Sequence, residues 1–185
     1  ISTYFYSRKN GNWEDPDTWS KQGFNGAASN TVPSTINDKA FIGNNRTVTI
    51  NSSTSDINRT NVESTGRLVI ANPSAALQGD SLYIKDGGTL AVSHFNGINA
   101  SGDDGNIQTT FRNYSTKGIY EFIGTGNQIS GAAIPDIVGS LVINKSTITD
   151  TVSLSKSILI KDSLIINQGA YHLFKNGNFT SNGET

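Results

Sequence analysis

The chain contains no cysteine and no methionine, only four prolines and two histidines, and its charged residues amount to just 16%. Without cysteine there are no disulfide staples, no thiol nucleophile and no Cys-ligated metal. The two histidines, His94 and His172, stand far apart and leave no His-x-x-x-His pair. With a formal net charge of −1 there is no basic block to neutralise a phosphate backbone, so nucleic acid is not an expected partner. No apolar run approaches the ~18 residues that a membrane-spanning helix needs, so membrane insertion is not expected. The chain opens at Ile1 rather than at an initiator methionine, and it reads as a fragment of a larger protein.

Hydrophobic residues make up 35%. Glycine, asparagine, serine and threonine fill the gap. Glycine loses backbone entropy in a helix, and the short polar side chains bond to nearby backbone instead of supporting one. Turns and strand edges suit all four.

The apolar residues come in short clusters: Ala40-Phe41-Ile42, Val48-Thr49-Ile50, Leu68-Val69-Ile70, Leu82-Tyr83-Ile84 and Leu90-Ala91-Val92. Further on come Ile119–Ile123, Leu141-Val142-Ile143, Ile158-Leu159-Ile160 and Leu164-Ile165-Ile166. Most are β-branched and bounded by Gly, Asn, Asp or Ser, which is a strand signature rather than a helical period. Clusters beginning at Val48, Leu68 and Leu90, then at Ile119, Leu141 and Leu164, step by roughly 20 to 23 residues, a solenoid period. Asp80–Gly87 and Asp162–Gly169 look like two copies of one unit.

The spacing predicts an all-β chain, a right-handed parallel β-helix with stacked columns of inward Leu and Ile. The alternative is a β-sandwich, since Asp86-Gly87-Gly88 between Leu82 and Leu90 permits a local hairpin. Residues 1–37 are aromatic-rich and read as an N-terminal cap; residues 38–185 read as coils, interrupted by a long loop at 94–115. Asn72, Asn144 and Asn167 are candidates for a corner ladder.

Trp13 and Trp19, with Tyr4 and Tyr6 nearby, suit either of two roles. They can cover the open end of a stack, or they can form a sugar-stacking platform. Calcium is the cofactor class suggested by hard oxygen ligands on turns, at Asp15 and Asp17 or at Asp103 and Asp104. No Gly-x-Ser-x-Gly elbow, phosphate-binding loop or clustered carboxylates suggest catalysis. An active site of the polysaccharide lyase or glycosidase kind is therefore the weaker expectation, because a glycosidase needs two carboxylates across one bond.

The opening Tyr6–Ser20, with Gly11, Trp13, Asp15-Pro16 and Thr18-Trp19, resembles the start of many large Bacteroidota surface proteins exported by the type IX system. Val32-Pro33, Asp38, Ile42, Thr47–Ile50 and Tyr120–Gly131 extend the resemblance. It implies a non-catalytic structural or adhesive segment at the outer cell surface or in the extracellular space. Its partners would be an extracellular glycan, a surface protein or further coils of the same larger chain. A carbohydrate-binding or carbohydrate-processing module is the alternative. The resemblance also implies O-glycosylation at Asp-Ser/Thr-aliphatic sites, namely Ser81, Thr151 and Ser163. A second similarity is to G8-type domains, which are β-rich and extracellular.

Overall fold

The computed structural model describes residues 1–99, 104–168 and 170–172, the last three by their backbone. Sixteen strands follow in chain order. They are β1 (Thr3–Ser7), β2 (Gly11–Asn12), β3 (Trp19–Ser20), β4 (Asp38–Ile42), β5 (Thr47–Ile50), β6 (Ile57–Val62), β7 (Arg67–Ile70) and β8 (Gly79–Ile84). Then come β9 (Thr89–Val92), β10 (Phe111–Tyr114), β11 (Ile119–Gly124), β12 (Gln128–Ile129), β13 (Ile137–Lys145), β14 (Thr151–Ser153), β15 (Leu159–Gln168) and β16 (Ala170–His172). No α-helix occurs among the described residues. One 3-10 turn at Pro16–Thr18 precedes β3, started by Asp15, whose carboxylate accepts from the Asp17 N–H. The chain is all-β.

From β4 to β11 successive strands alternate between two sheets. One sheet has the order β10-β8-β6-β4-β1-β3, the other β15-β13-β11-β9-β7-β5-β2, and a third small sheet is β12-β14-β16. Among the described residues every strand pair is parallel except β1 with β3.

The register lines up apolar residues across strands. Val48, Leu68, Leu90, Tyr120 and Leu141 form one row, and Ile50, Ile70, Val92, Phe122 and Ile143 form the next. All ten are 0% exposed. Ala40, Ile42, Val62, Leu82 and Ile84 from the first sheet join them in one core between the two sheets. Each such aliphatic side chain contributes about 1.5–3 kcal/mol by leaving water.

Corners need special residues. Gly79 has φ +118°, and a Cβ there would stand 2.1 Å from the Ile57 carbonyl oxygen. Asn44 and Asn45 take the left-handed region at another corner, and the Asn45 N–H donates to the Thr65 hydroxyl.

Several sequence expectations change here. Asp80–Gly87 and Asp162–Gly169 are not equivalent units, because Leu82 lies on β8 of the first sheet and Leu164 on β15 of the second. The Leu82–Leu90 segment is no hairpin: β8 and β9 belong to different sheets, and the Asp86-Gly87-Gly88 turn joins them. The expected loop at 94–115 ends early, because Phe111–Tyr114 forms β10 beside β8. Asn106, between His94 and β10, is 0% exposed. Its Oδ1 accepts from the Ser93 and His94 N–H groups, and its Nδ2 donates to the Ala75 carbonyl at 2.8 Å. The ladder of stacked asparagines does not form at Asn144, which pairs in register with Gln168 and donates to Glu121.

Candidate functional site

The inward side of the first sheet is core, so its outward side is read from the alternate positions of each strand. On β1 these are Tyr4 and Tyr6, on β4 Lys39 and Phe41, on β6 Arg59 and Asn61. On β8 they are Ser81 and Tyr83, and on β10 Phe111 and Asn113. Parallel pairing sets them in two rows across the strands. Tyr4, Lys39, Arg59, Ser81 and Phe111 form the first; Tyr6, Phe41, Asn61, Tyr83 and Asn113 form the second. Five strands at about 4.8 Å spacing make a face about 19 Å long.

Aromatic contacts run along it. Tyr4 and Tyr6 each stack on Phe41, with centroids 6.1 and 5.2 Å apart. Phe24 meets Tyr6 edge to face at 5.3 Å, and Tyr83 tilts against Phe111 at 5.5 Å. Tyr4 and Phe111 remain 44% and 50% exposed at the two ends.

Cations lie on these rings. Lys39 Nζ stands 5.3 Å from the Tyr4 centroid. Arg59 and Lys85 both reach the Tyr83 ring, at 4.9 and 5.1 Å. Among the described residues none of the three forms an ion pair. Two donors between the rings, Arg59 Nε and Asn61 Nδ2, are buried without a hydrogen-bond partner, and Asn61 is only 4% exposed. Unsatisfied buried donors are rare in folded proteins and call for a physical reason. An open groove of about 510 Å³, lined by Glu63, Lys85, Asp86, Asn113 and Ser115 among others, adjoins the Tyr83 end. The Asp86 carboxyl is held below the usual carboxylate range, first by the Ser115 hydroxyl and then by Lys117.

Chemically, this face offers flat apolar rings and positive charge on paired strands, with two unpartnered donors buried among them. Such a surface can stack sugar rings and accept anionic groups.

The residues singled out from sequence fall in several places. Tyr4 and Tyr6 lie on this face. Trp13 and Trp19 do not: they are 2% and 0% exposed, and the Trp13 indole N–H donates to the Pro33 carbonyl at 3.2 Å. Neither indole offers a free face, so the sugar-stacking platform does not form there, and both rings join the core. Asp15 and Asp17 turn toward cations. Asp17 pairs with Arg8 at 2.7 Å and with Lys9, which also lies 3.7 Å from Asp15. Lys9 is the main reason the Asp17 carboxyl is lowered. Asp104 accepts from Asn96 at 2.6 Å and stands 3.6 Å from His94, while Asp103 lies outside the described residues. Among the described residues there is no group of three or more His, Cys, Asp or Glu placed to hold a metal.

Ser81 sits on the face itself, its hydroxyl donating to the Asn58 carbonyl at 3.0 Å. The Ser163 hydroxyl is 2.9 Å from that of Ser140, and Thr151 lies in β14, half-buried. The second sheet carries an ion pair instead of an aromatic face. Arg67 gives two hydrogen bonds to Glu121 Oε2, at 3.0 and 2.7 Å, and Asn144 donates to Oε1 at 3.0 Å.

Phe41 and Tyr83 stand in the sequence only as members of apolar strand clusters, and Lys39, Arg59, Asn61 and Phe111 carry no signal there. Each strand shows only one or two of them, and only the register sets them side by side.

Fold and face together define an all-β module of parallel sheets with one exposed aromatic and cationic side. The chain belongs to the G8 domain family, whose model matches residues 18–129. That bears out the G8-type similarity read from sequence. The matched span includes every residue of the face from Lys39 to Asn113 and leaves out Tyr4, Tyr6 and Trp13. No curated protein and no solved structure matches the chain.

Proposed function

We propose that this chain is a non-catalytic structural and adhesive segment of a secreted or outer-cell-surface protein, and that its outer aromatic face holds extracellular glycan. The observation that carries this reading is the pair of aligned rows from Tyr4 to Phe111 and from Tyr6 to Asn113. An aromatic face left open to solvent, rigidly spaced and fringed by cations without acidic partners, is a recognition surface rather than a packing surface.

We also propose that the scaffold is a right-handed parallel β-helix. Strands that alternate between sheets and pair in parallel with the strand two places on favour a coil over a sandwich. Crossovers between parallel strands are right-handed in about 98% of cases. The antiparallel β3 beside β1 blunts the end of the first sheet. At the other end Leu164 and Ile166 align with the fully buried Leu141 and Ile143 yet stay partly exposed, so a further coil stacked on β15 would cover them. The type IX secretion origin belongs to the same proposal and rests on the sequence resemblance.

The test is binding of the purified domain to a panel of immobilised polysaccharides, beside a Tyr4→Ala/Phe111→Ala double variant. Both rings are exposed, so the variant keeps its fold. The reading requires saturable binding to at least one polysaccharide, weakened about tenfold or more in the variant. Binding that the variant leaves unchanged would move adhesion away from this face.

A further inference from the structure

Arg59 and Lys85 come from different strands and converge on one ring. Each lies about one ring-stacking distance from the Tyr83 centroid, at 4.9 and 5.1 Å. Like charges drawn to one spot repel unless an anion lies between them. Among the described residues no carboxylate forms an ion pair with either cation, Glu63 of the adjoining groove included. Asp86 is engaged by Lys117 at 3.5 Å and by Ser115 at 2.5 Å, and Asp80 accepts from Asn58 at 3.3 Å. Next to this ring in the row is Asn61, with Nδ2 buried and unpartnered, and Arg59 Nε is in the same condition. Lys39 lies one strand further, opposite Arg59.

We infer that the Tyr83 position is an anion subsite and that the glycan bound by this face is a sulfated polysaccharide. This rests on the adhesive reading above and names its ligand. A sulfate ester carries three terminal oxygens that diverge from one sulfur. Three side chains supply donors here: a guanidinium on β6, an ammonium just past β8 and an amide on β6. A carboxylate presents two oxygens in one plane, which a single guanidinium fork satisfies, leaving Lys85 and Asn61 unused. Sugar rings would stack on the exposed Tyr4 and Phe111 rings at the two ends of the rows, and the sulfate would sit between Arg59 and Lys85 at Tyr83, with Asn61 Nδ2 beside it.

The experiment is isothermal titration calorimetry of the whole chain with dextran, dextran sulfate and polygalacturonate at two salt concentrations. Dextran and dextran sulfate share a backbone, so their difference isolates the sulfate. Polygalacturonate supplies a polyanion of carboxylates. Dextran sulfate is expected to bind at least tenfold more tightly than either, with affinity falling as salt rises. Arg59→Gln and Lys85→Gln should each weaken it about tenfold, while Lys117→Gln, which removes the same charge from outside the face, should leave it unchanged. Lys85 is exposed, so its variant reads the subsite even where Arg59→Gln disturbs the fold. Equal binding of dextran or polygalacturonate overturns the sulfate assignment and leaves the adhesive reading standing. So does an equal loss in Lys117→Gln, which marks a mere net-charge effect. No binding to any of the three, nor to any polysaccharide of the wider panel, overturns both.

Discussion

Trp13 and Trp19 meet edge to face with their ring centroids 5.0 Å apart, and the Trp19 indole N–H donates to the Trp13 carbonyl at 2.8 Å. Phe5 closes on Trp19 at 6.4 Å from the other side. Phe5, Trp13 and Trp19 thereby belong to the core cluster.

Trp19→Ala therefore removes a fully buried ring and should cost about 3–5 kcal/mol. Trp13→Phe keeps most of the volume and loses the bond to Pro33, so its cost should be nearer 1–2 kcal/mol. Urea unfolding monitored by circular dichroism gives both numbers. If either variant keeps its stability but loses glycan binding, the rings face the ligand and their burial is wrong.

Asn106 ties three segments together. It bonds to the backbone of Ser93 and His94 after β9 and to Asn72 and Ala75 after β7. Asn106→Ala strands buried N–H and C=O groups at once, each worth about 1–3 kcal/mol. A loss of at least ~2 kcal/mol is expected, with faster amide hydrogen exchange at Ser93 and His94. Unaltered exchange at those two amides would show that the side chain is not their partner.

Lys145 is 2% exposed, and its ammonium donates to the Ile123 carbonyl at 3.0 Å and to Gln128 Oε1 at 2.5 Å. Burial brings its pKa down to about 8, against the opposing pull of Asp150. The folded chain thus gives up this proton more readily than the unfolded chain, whose lysine titrates near 10.4. Between about pH 8 and 10 the unfolded state binds more protons, so stability should rise with pH across that window. Above about pH 10 the gain is opposed by Tyr114 and Tyr120, whose hydroxyls burial pushes up and which must ionise on unfolding. Lys145→Met should flatten the rise between pH 8 and 10; at pH 7 it removes a buried charge but leaves Gln128 Oε1 and the Ile123 carbonyl without this donor, so the net change there should stay within about 1–2 kcal/mol. Thermal melts at closely spaced pH values decide it; a rise that survives in the variant belongs to another group.

The strands were legible because inward positions repeat. Val48, Leu68 and Leu90 are each apolar, each followed two residues later by Ile50, Ile70 and Val92, and each bounded by turn residues. The resulting step correctly placed β5, β7 and β9, and then β11, β13 and β15, in one sheet. Two things were not legible. Phe111-Arg112-Asn113-Tyr114 carries too little apolar character to declare a strand, and it becomes β10 because β8 presents an edge to it. The face was hidden for a different reason. Outward positions are free of the core's demands, so Lys39, Arg59 and Tyr83 show no period of their own. Their alignment depends on corner lengths, set by residues such as Gly79 and Asn45, and on a register that local sequence does not reveal.

On the proposal above, one outer face would do the binding while the core and the opposite sheet carry it. Amide chemical-shift mapping by NMR, with sulfated oligosaccharide titrated into the labelled chain, tests this most directly. Shifts are expected on Tyr4, Tyr6, Lys39, Phe41, Arg59, Asn61, Tyr83 and Phe111, with the Arg67–Glu121 side silent. Shifts centred on the second sheet or on the Asn106 loop, with the first sheet silent, would contradict it.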